Sequence, residues 1–393
     1  MTTSLSPFGL DPYPWFTLMR ESAPVFLDPR RHNWSVFKYN DVQRVLSEHS
    51  TFSSRFADFE SDHPLDVSMI SMDPPRHRQL RSLVTLAFTP RTIARLESRI
   101  TAIVNELLDK VAPQGHMDII NDLSYPLPVI VIAELLGIPH EDRERFKLWS
   151  DQFIGATPSE GMDSQVAMSE YFRWVIAQRR EKPEDDLISA LLAAQIDGKH
   201  LTEQELLGFC ILLLIAGNET TTHLIGNAIW CFDEHPEAWA ELRANPALLP
   251  DAIEEVLRYR SPIKMMFRVT TQDTRIGDKD IPAGVGVTAW IGSANRDEAQ
   301  FPNAATFDIR RAPNRHLAFG YGIHFCLGAP LARLESKVAL SIMLERFASI
   351  RRDRDVELEP VPAFILHGLK SLPVTFEKSR AFPNLEADSS ING

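Results

Sequence analysis

The sequence predicts a mainly α-helical protein with a small β-rich lobe, and three observations carry that expectation. Thr202-Glu-Gln-Glu205 is a capping box, and behind it an almost uniformly apolar helix runs for about eight turns to about Phe232. Cap residues and first-turn prolines recur along much of the chain, as at Thr89-Pro90. Strand-like alternation is confined to residues 23–37, 263–292 and 355–377. No internal repeat and no linker interrupts the chain, so residues 1–393 read as one domain.

In order, Asp11-Pro-Tyr-Pro opens a first helix, and Ala23–Leu27 with Asn33–Phe37 alternates like a hairpin. Asn40 is placed to cap a helix over Asp41–Glu48. Residues 52–72 have little period and predict a long functional loop. A helix follows Asp73-Pro-Pro and ends near Phe88, and another spans Arg91–Ala112. Leu127–Leu136 is an apolar run, and Pro139–Asp142 starts a further helix. Residues 151–200 read as two amphipathic helices around a loop at 156–161, with Arg179–Asp186 as a solvated turn. Beyond the long apolar helix come a helix at Asp251–Tyr259, short strands over 263–292 and a meander at Phe301–Asn314. A cysteine loop, a helix to about Phe347 and strands within 355–377 complete the pattern, and residues 379–393 read as a loose tail.

Composition narrows the function. A net charge of −12 argues against a nucleic-acid binder. The three cysteines, Cys210, Cys231 and Cys326, fit a reducing cytoplasm and form neither a disulfide framework nor a zinc spacing. Met1–Pro7 lacks the basic and apolar regions of a signal peptide, and the apolar stretch Leu206–Gly217 is shorter than the roughly 20 residues of a membrane span. A soluble protein is expected.

Two stretches break the rules of an ordinary core. Phe319-Gly-Tyr-Gly-Ile-His-Phe-Cys-Leu-Gly328 runs into a helix with Pro330 in its first turn. Gly320 and Gly322 admit backbone conformations closed to other residues, and Gly328 leaves room for something flat beside Cys326. The helix terminus should lower the thiol's pKa, and a lone thiolate there suits the axial position of a haem iron. The second stretch, Ala216-Gly-Asn-Glu-Thr-Thr221, puts poor helix formers and polar groups in the middle of the apolar helix. Threonine hydroxyls bonding back one turn predict a local kink with an opened groove.

The spacing Phe-x-x-Gly-x-His-x-Cys-x-Gly resembles the haem-binding signature of the cytochrome P-450 family, in which the histidine is often arginine. The Ala216–Thr221 segment resembles that family's Ala-Gly-x-Asp/Glu-Thr motif, which assigns Glu219 and Thr220 to oxygen binding and proton delivery. Glu255 and Arg258, three apart on a helix, would alone suggest a surface ion pair. The resemblance makes them a buried pair completed by Arg311. It likewise gives His77, Arg81, Arg268 and His324 to the haem propionates. Phe319, Cys326 and Gly328 would hold the haem b, iron protoporphyrin IX, below, with Ala216 facing it from above and Cys326 as the iron's axial ligand.

The resemblance covers essentially the whole chain and is closest to soluble bacterial members that hydroxylate fatty acids, steroids and terpenoids. It implies a triangular helical prism with the haem between the long helix and the helix after Cys326. It implies insertion of one oxygen atom from O2 into an apolar small molecule, with electrons from NAD(P)H through a separate ferredoxin and reductase, or a flavodoxin-type donor. Arg76, Arg78, Arg333 and Lys337 would form the docking patch. The pocket would be lined by Leu212, Ile215, Ala216, Met265, Met266, Phe364, Ile365, Leu366 and the 56–70 loop. Lys264 reads as a solvated loop lysine, or, if it reaches the cavity, as a partner for a substrate carboxylate. A cytoplasmic monomer without membrane or nucleic-acid partners is expected. A peroxide-driven peroxygenase and a non-catalytic haem sensor are the rival functions, and the Glu219–Thr220 pair favours neither.

Overall fold

The structure, a computed structural model, describes residues 6–29, 32–55, 67–142, 145–146, 148–149, 152, 158–196 and 198–379. Its organising element is the helix Glu203–Glu234, capped as expected. Thr202 N–H donates to Glu205 Oε2 at 2.9 Å, and Glu205 N–H donates to Thr202 Oγ1 at 3.3 Å. The helix is long and apolar enough to cross a membrane, but 67% of its most apolar window is buried within the protein. Helices Pro126–Leu135, Pro158–Glu181, Leu249–Tyr259 and Ala329–Arg346 pack around it. A side chain at Gly217 would collide with Ile132, and one at Gly226 would stand 2.5 Å from Ile120 Cδ1. Those glycines therefore let Pro126–Leu135 and the π-helical turn Ile119–Ser124 lie close against the central helix.

The helix Glu97–Val111 shows how the core is specified. Its buried residues, Ile100, Ile103, Val104, Leu107, Leu108 and Val111, recur at three- and four-residue steps and form one apolar stripe.

The β-rich lobe is a five-stranded sheet in the order β1 (Val25–Asp28), β2 (Asn33–Val36), β8 (Gly286–Ala289), β5 (Met266–Thr270), β3 (Phe52–Ser53). β1 and β2 pair antiparallel as the expected hairpin, with Val25 opposite Val36. β2 and β8 are parallel. A second sheet holds β4 (His116–Asp118), β10 (Pro373–Lys378) and β9 (Phe347–Arg352), and β6 (Thr274–Ile276) pairs with β7 (Lys279–Ile281) as a two-stranded ribbon.

Several boundaries differ from expectation. Asn40 is not a cap: the helix spans Tyr39–Ser47, and its first N–H, from Tyr39, donates to Asp297 Oδ2 at 2.8 Å. The region 91–112 is two helices, Pro90–Ala94 and Glu97–Val111, though no proline or glycine marks the break. Helix Pro158–Glu181 begins inside the expected 156–161 loop. Arg179–Asp186 is tied down: Arg179 pairs with Asp186 and donates to the Gly137 carbonyl at 2.9 Å. Strands flank residues 355–372 instead of filling them, since Pro360 and Pro362 remove backbone donors there. The proposed tail, from residue 380 on, lies outside the described residues, as do 56–66 of the proposed pocket loop.

Candidate active site

Cys326 closes a tight loop. Its N–H donates to the Phe319 carbonyl at 2.8 Å. Gly320 and Gly322 hold φ values of +75° and +72°, and a Cβ on Gly322 would meet Ser47 Cα at 2.8 Å. The helix Ala329–Arg346 starts just beyond, with Gly328 as its cap residue. A Cβ on Gly328 would meet only Cys326 Sγ, at 3.9 Å, so the space beside the sulfur is open as expected. Cys326 is exposed, whereas Cys210 and Cys231 are buried. The helix-terminus effect is present but outweighed. Desolvation pushes the thiol pKa up, against the pull of the Gly328 and Ala329 N–H groups, Arg81 and Arg333.

Beside the sulfur, four basic side chains converge. The His77 and His324 rings lie 4.3 Å apart, and His324 Nε2 is 3.0 Å from Ser54 Oγ. Arg81 donates to the Phe325 carbonyl, next to Cys326, at 2.6 Å. Arg268, 4% exposed, donates to its own neighbour's carbonyl at 2.7 Å. A solvent-open cleft of about 530 Å³ lies between His49, His77, Arg81 and Gly322.

Their electrostatics are those of a site built for an anion. Burial drops Arg268 to about 10, and burial with Arg81 depresses His77. His324 falls to about 3 through burial and the repulsion of Arg268, His77 and Arg81. Its ring meets Ser54 Oγ as a hydrogen-bonding group. Asp73 is the carboxylate that acts on both His77 and Arg268, and its own oxygens accept from Ser53 Oγ and Ser54 N–H. His77 Nε2 is buried with no hydrogen-bond partner. A cluster this basic around an open thiol fits a flat, doubly carboxylated iron macrocycle.

The polar segment of the central helix does not break it. Residues 203–234 stay helical throughout, and Thr220 Oγ1 donates to the Ala216 carbonyl at 2.8 Å. The expected interruption is thus absorbed by back-bonding within the turn. Ala216 is exposed, and Glu219 is 7% exposed. One turn on, His223 Nε2 lies 3.5 Å from Glu219 Oε2. Gly368 packs so closely on this imidazole that any side chain there would collide with it.

Glu255, Arg258 and Arg311 meet as expected. Arg258 grips Glu255 through two bonds of 2.7 Å, and Arg311 Nε lies 3.2 Å from Glu255 Oε2. Glu255 and Arg258 are fully buried, and Asp308 N–H and Asn314 add bonds of 2.9 and 3.1 Å to the carboxylate. Both guanidiniums also donate to meander carbonyls, Arg258 to Ala304 at 2.8 Å and Arg311 to Pro302 at 2.8 Å.

The pocket residues divide. Leu212, Ile215 and Met266 are half-buried, and Phe364 and Ile365 are each 38% exposed. Met265 instead turns away into a cluster with Phe16, Met19, Phe37 and Trp290, and Leu366 is buried against Ile263. Lys264 is not solvated: it is 4% exposed, and its Nζ sits 5.4 Å from the Phe8 ring. Of the expected docking patch, Arg76 pairs with Glu205 and Arg333 with Glu254, which leaves Arg78 and Lys337 exposed.

Residues 164–370 match the family Cytochrome P450. The chain is 44% identical over 374 residues to the putative cytochrome P450 YjiB of Bacillus subtilis, covering 92% of this chain and 93% of that one. It is 42% identical over 373 residues to the erythromycin C-12 hydroxylase of Saccharopolyspora erythraea, covering 92% and 93%. Substrate-free CYP109E1 from Bacillus megaterium superposes with a TM-score of 0.91 at 42% identity, covering 94% of this chain and 100% of that one. The same protein solved with testosterone gives 0.89 at 43% identity, covering 93% and 98%. With its cysteine loop, its basic cluster and its clamped meander, this chain belongs to the cytochrome P450 family of haem-thiolate monooxygenases.

Proposed function

We propose that the chain binds haem b through Cys326 and oxidises apolar lipids, steroids or terpenoids in the cytoplasm, as a single-domain monomer supplied with electrons by a ferredoxin and its reductase. The observation that carries this reading is the open Cys326 thiol beside four converging basic groups, His77, Arg81, Arg268 and His324. The bound haem would activate O2, so that one oxygen atom enters a substrate C–H bond and the other leaves as water. Arg81, Arg268 and His77 would neutralise the propionates, with His324 adding a hydrogen bond. Phe319, stacked beneath the Arg333 guanidinium at 4.5 Å, stiffens the loop that carries the ligand.

Above, Glu219 would hold a proton at its carboxylate and pass it toward the Thr220 hydroxyl, which one rotation frees from the Ala216 carbonyl. Leu212, Ile215, Met266 and Phe364 present apolar, adaptable surface to a substrate. Relatives support the substrate class: CYP109E1 has been solved with testosterone and with corticosterone, and P450BioI with hexadec-9Z-enoic acid ligated to acyl carrier protein.

Turnover under ¹⁸O₂ with NADPH, ferredoxin and reductase tests the proposal. Product carrying one ¹⁸O is expected. Product formed only with added peroxide would assign a peroxygenase, and no product from any apolar substrate would leave a haem sensor.

A further inference from the structure

Lys264 is an anomaly of the segment that leads into strand β5. Lys264 is only 4% exposed, yet among the described residues no carboxylate pairs with it. Burial alone moves its pKa down to about 8. Lysine is seldom buried without a partner, because a desolvated ammonium needs an opposite charge. The backbone holds it rigidly: Lys264 N–H donates to the Ile365 carbonyl at 2.8 Å, and its carbonyl accepts from Gly292 N–H at 3.0 Å.

The surroundings are aromatic and partly open. Nζ stands 5.4 Å from the centre of the Phe8 ring. Phe8 and Phe364 are 4.9 Å apart, and Phe364 stacks on Phe267 at 6.2 Å and 10°. Phe8 is 42% exposed and Phe364 and Ile365 are 38% exposed each, an apolar rim beside a buried cation. Four residues on, Arg268 enters the basic cluster near Cys326, so the two Cα atoms are at most about 14 Å apart. A molecule with a carboxylate at Lys264 and an apolar chain running along Met266 would span that interval.

We propose that Lys264 anchors the carboxylate of an amphipathic acid, whose apolar body lies against Phe8, Phe267 and Phe364 and extends toward the haem face. This rests on the apolar-substrate reading above and narrows it to free carboxylates over their esters. The ammonium would donate charge-assisted hydrogen bonds to the acid. An acyl group held in a thioester offers a neutral carbonyl oxygen and no anionic one.

The test is spectral titration of the ferric holoenzyme with hexadecanoate, methyl hexadecanoate and a neutral steroid. Wild type should bind the acid at least about tenfold more tightly than the ester, the scale of one charged hydrogen bond. Lys264→Met should bring the acid-to-ester affinity ratio to about one, and Lys264→Arg should retain the preference. A haem-replete spectrum that still responds to the steroid shows that each variant is folded. An acid preference that survives in Lys264→Met, or no preference in a wild type that binds the steroid, overturns the anchor and leaves the proposed function standing. A wild type that binds none of the three sinks the apolar-substrate reading and the anchor with it.

Discussion

His223 Nε2 lies 3.5 Å from Glu219 Oε2, one helical turn away on the buried side of the central helix. Neither imidazole nitrogen has a hydrogen-bond partner among the described residues, and Gly368 packs directly against the ring. The arrangement sets the imidazole beside the Glu219 carboxylate, on the side where it can bias the carboxylate's orientation. If that orientation serves proton delivery, Glu219→Gln should lower product formation by about 10²-fold, at the lower end of general acid–base effects. His223→Phe should lower it less, and the double variant should be no worse than Glu219→Gln alone, because neighbours in one network are not additive. Additive losses in steady-state rates would show that His223 acts elsewhere.

Thr220→Ala separates chemistry from helix geometry. The variant should keep its haem and its substrate affinity and still consume NADPH. Most of the reducing power should then appear as hydrogen peroxide instead of product. A product-to-NADPH ratio equal to wild type would mean that the hydroxyl serves only its bond to the Ala216 carbonyl.

Glu255→Ala should give protein with little haem. The change strands Arg258 and Arg311, which face the same carboxylate in the interior, at about 3–5 kcal/mol. Haem-to-protein ratio and Tm are the readouts. A haem-replete variant of wild-type stability would contradict the structural role.

Glu254 predicts a pH effect on stability. Burial pushes its pKa up, but hydrogen bonds from Arg333 and His316 outweigh that and hold it at about 2, below the ordinary 4.5. A depressed folded pKa adds stability above 4.5 that is lost as pH falls toward 2. The Tm gap between wild type and Glu254→Gln should therefore be largest above pH 4.5 and shrink as the pH drops toward 2. A gap that stays constant would mean that the carboxylate's charge contributes nothing.

What could be read from the chain follows from how locally each feature is encoded. The cysteine loop was legible because its glycines, histidine and cysteine are contiguous, and the backbone angles at Gly320 and Gly322 follow from residue type. Glu255, Arg258 and Arg311 were legible through the family resemblance, since spacing alone suggests only a surface pair. His223 was not, because a histidine on an apolar helix face carries no signal until Gly368 and Glu219 are seen against it. Lys264 misled for a sound reason: lone lysines belong to solvent, and segments distant in sequence, among them Phe8 and Ile365, bury this one. Met265 was misplaced because adjacent residues on an extended segment face opposite ways, and sequence does not say which faces the cavity.

The reduced, carbon-monoxide-bound absorption spectrum of wild type and of Cys326→His tests thiolate ligation most directly. Wild type should show the red-shifted band that the electron push of a thiolate produces, and Cys326→His should lose it while still binding haem. If Cys326→His keeps the red-shifted band, the iron's ligand is another residue and the site built around Cys326 is wrong.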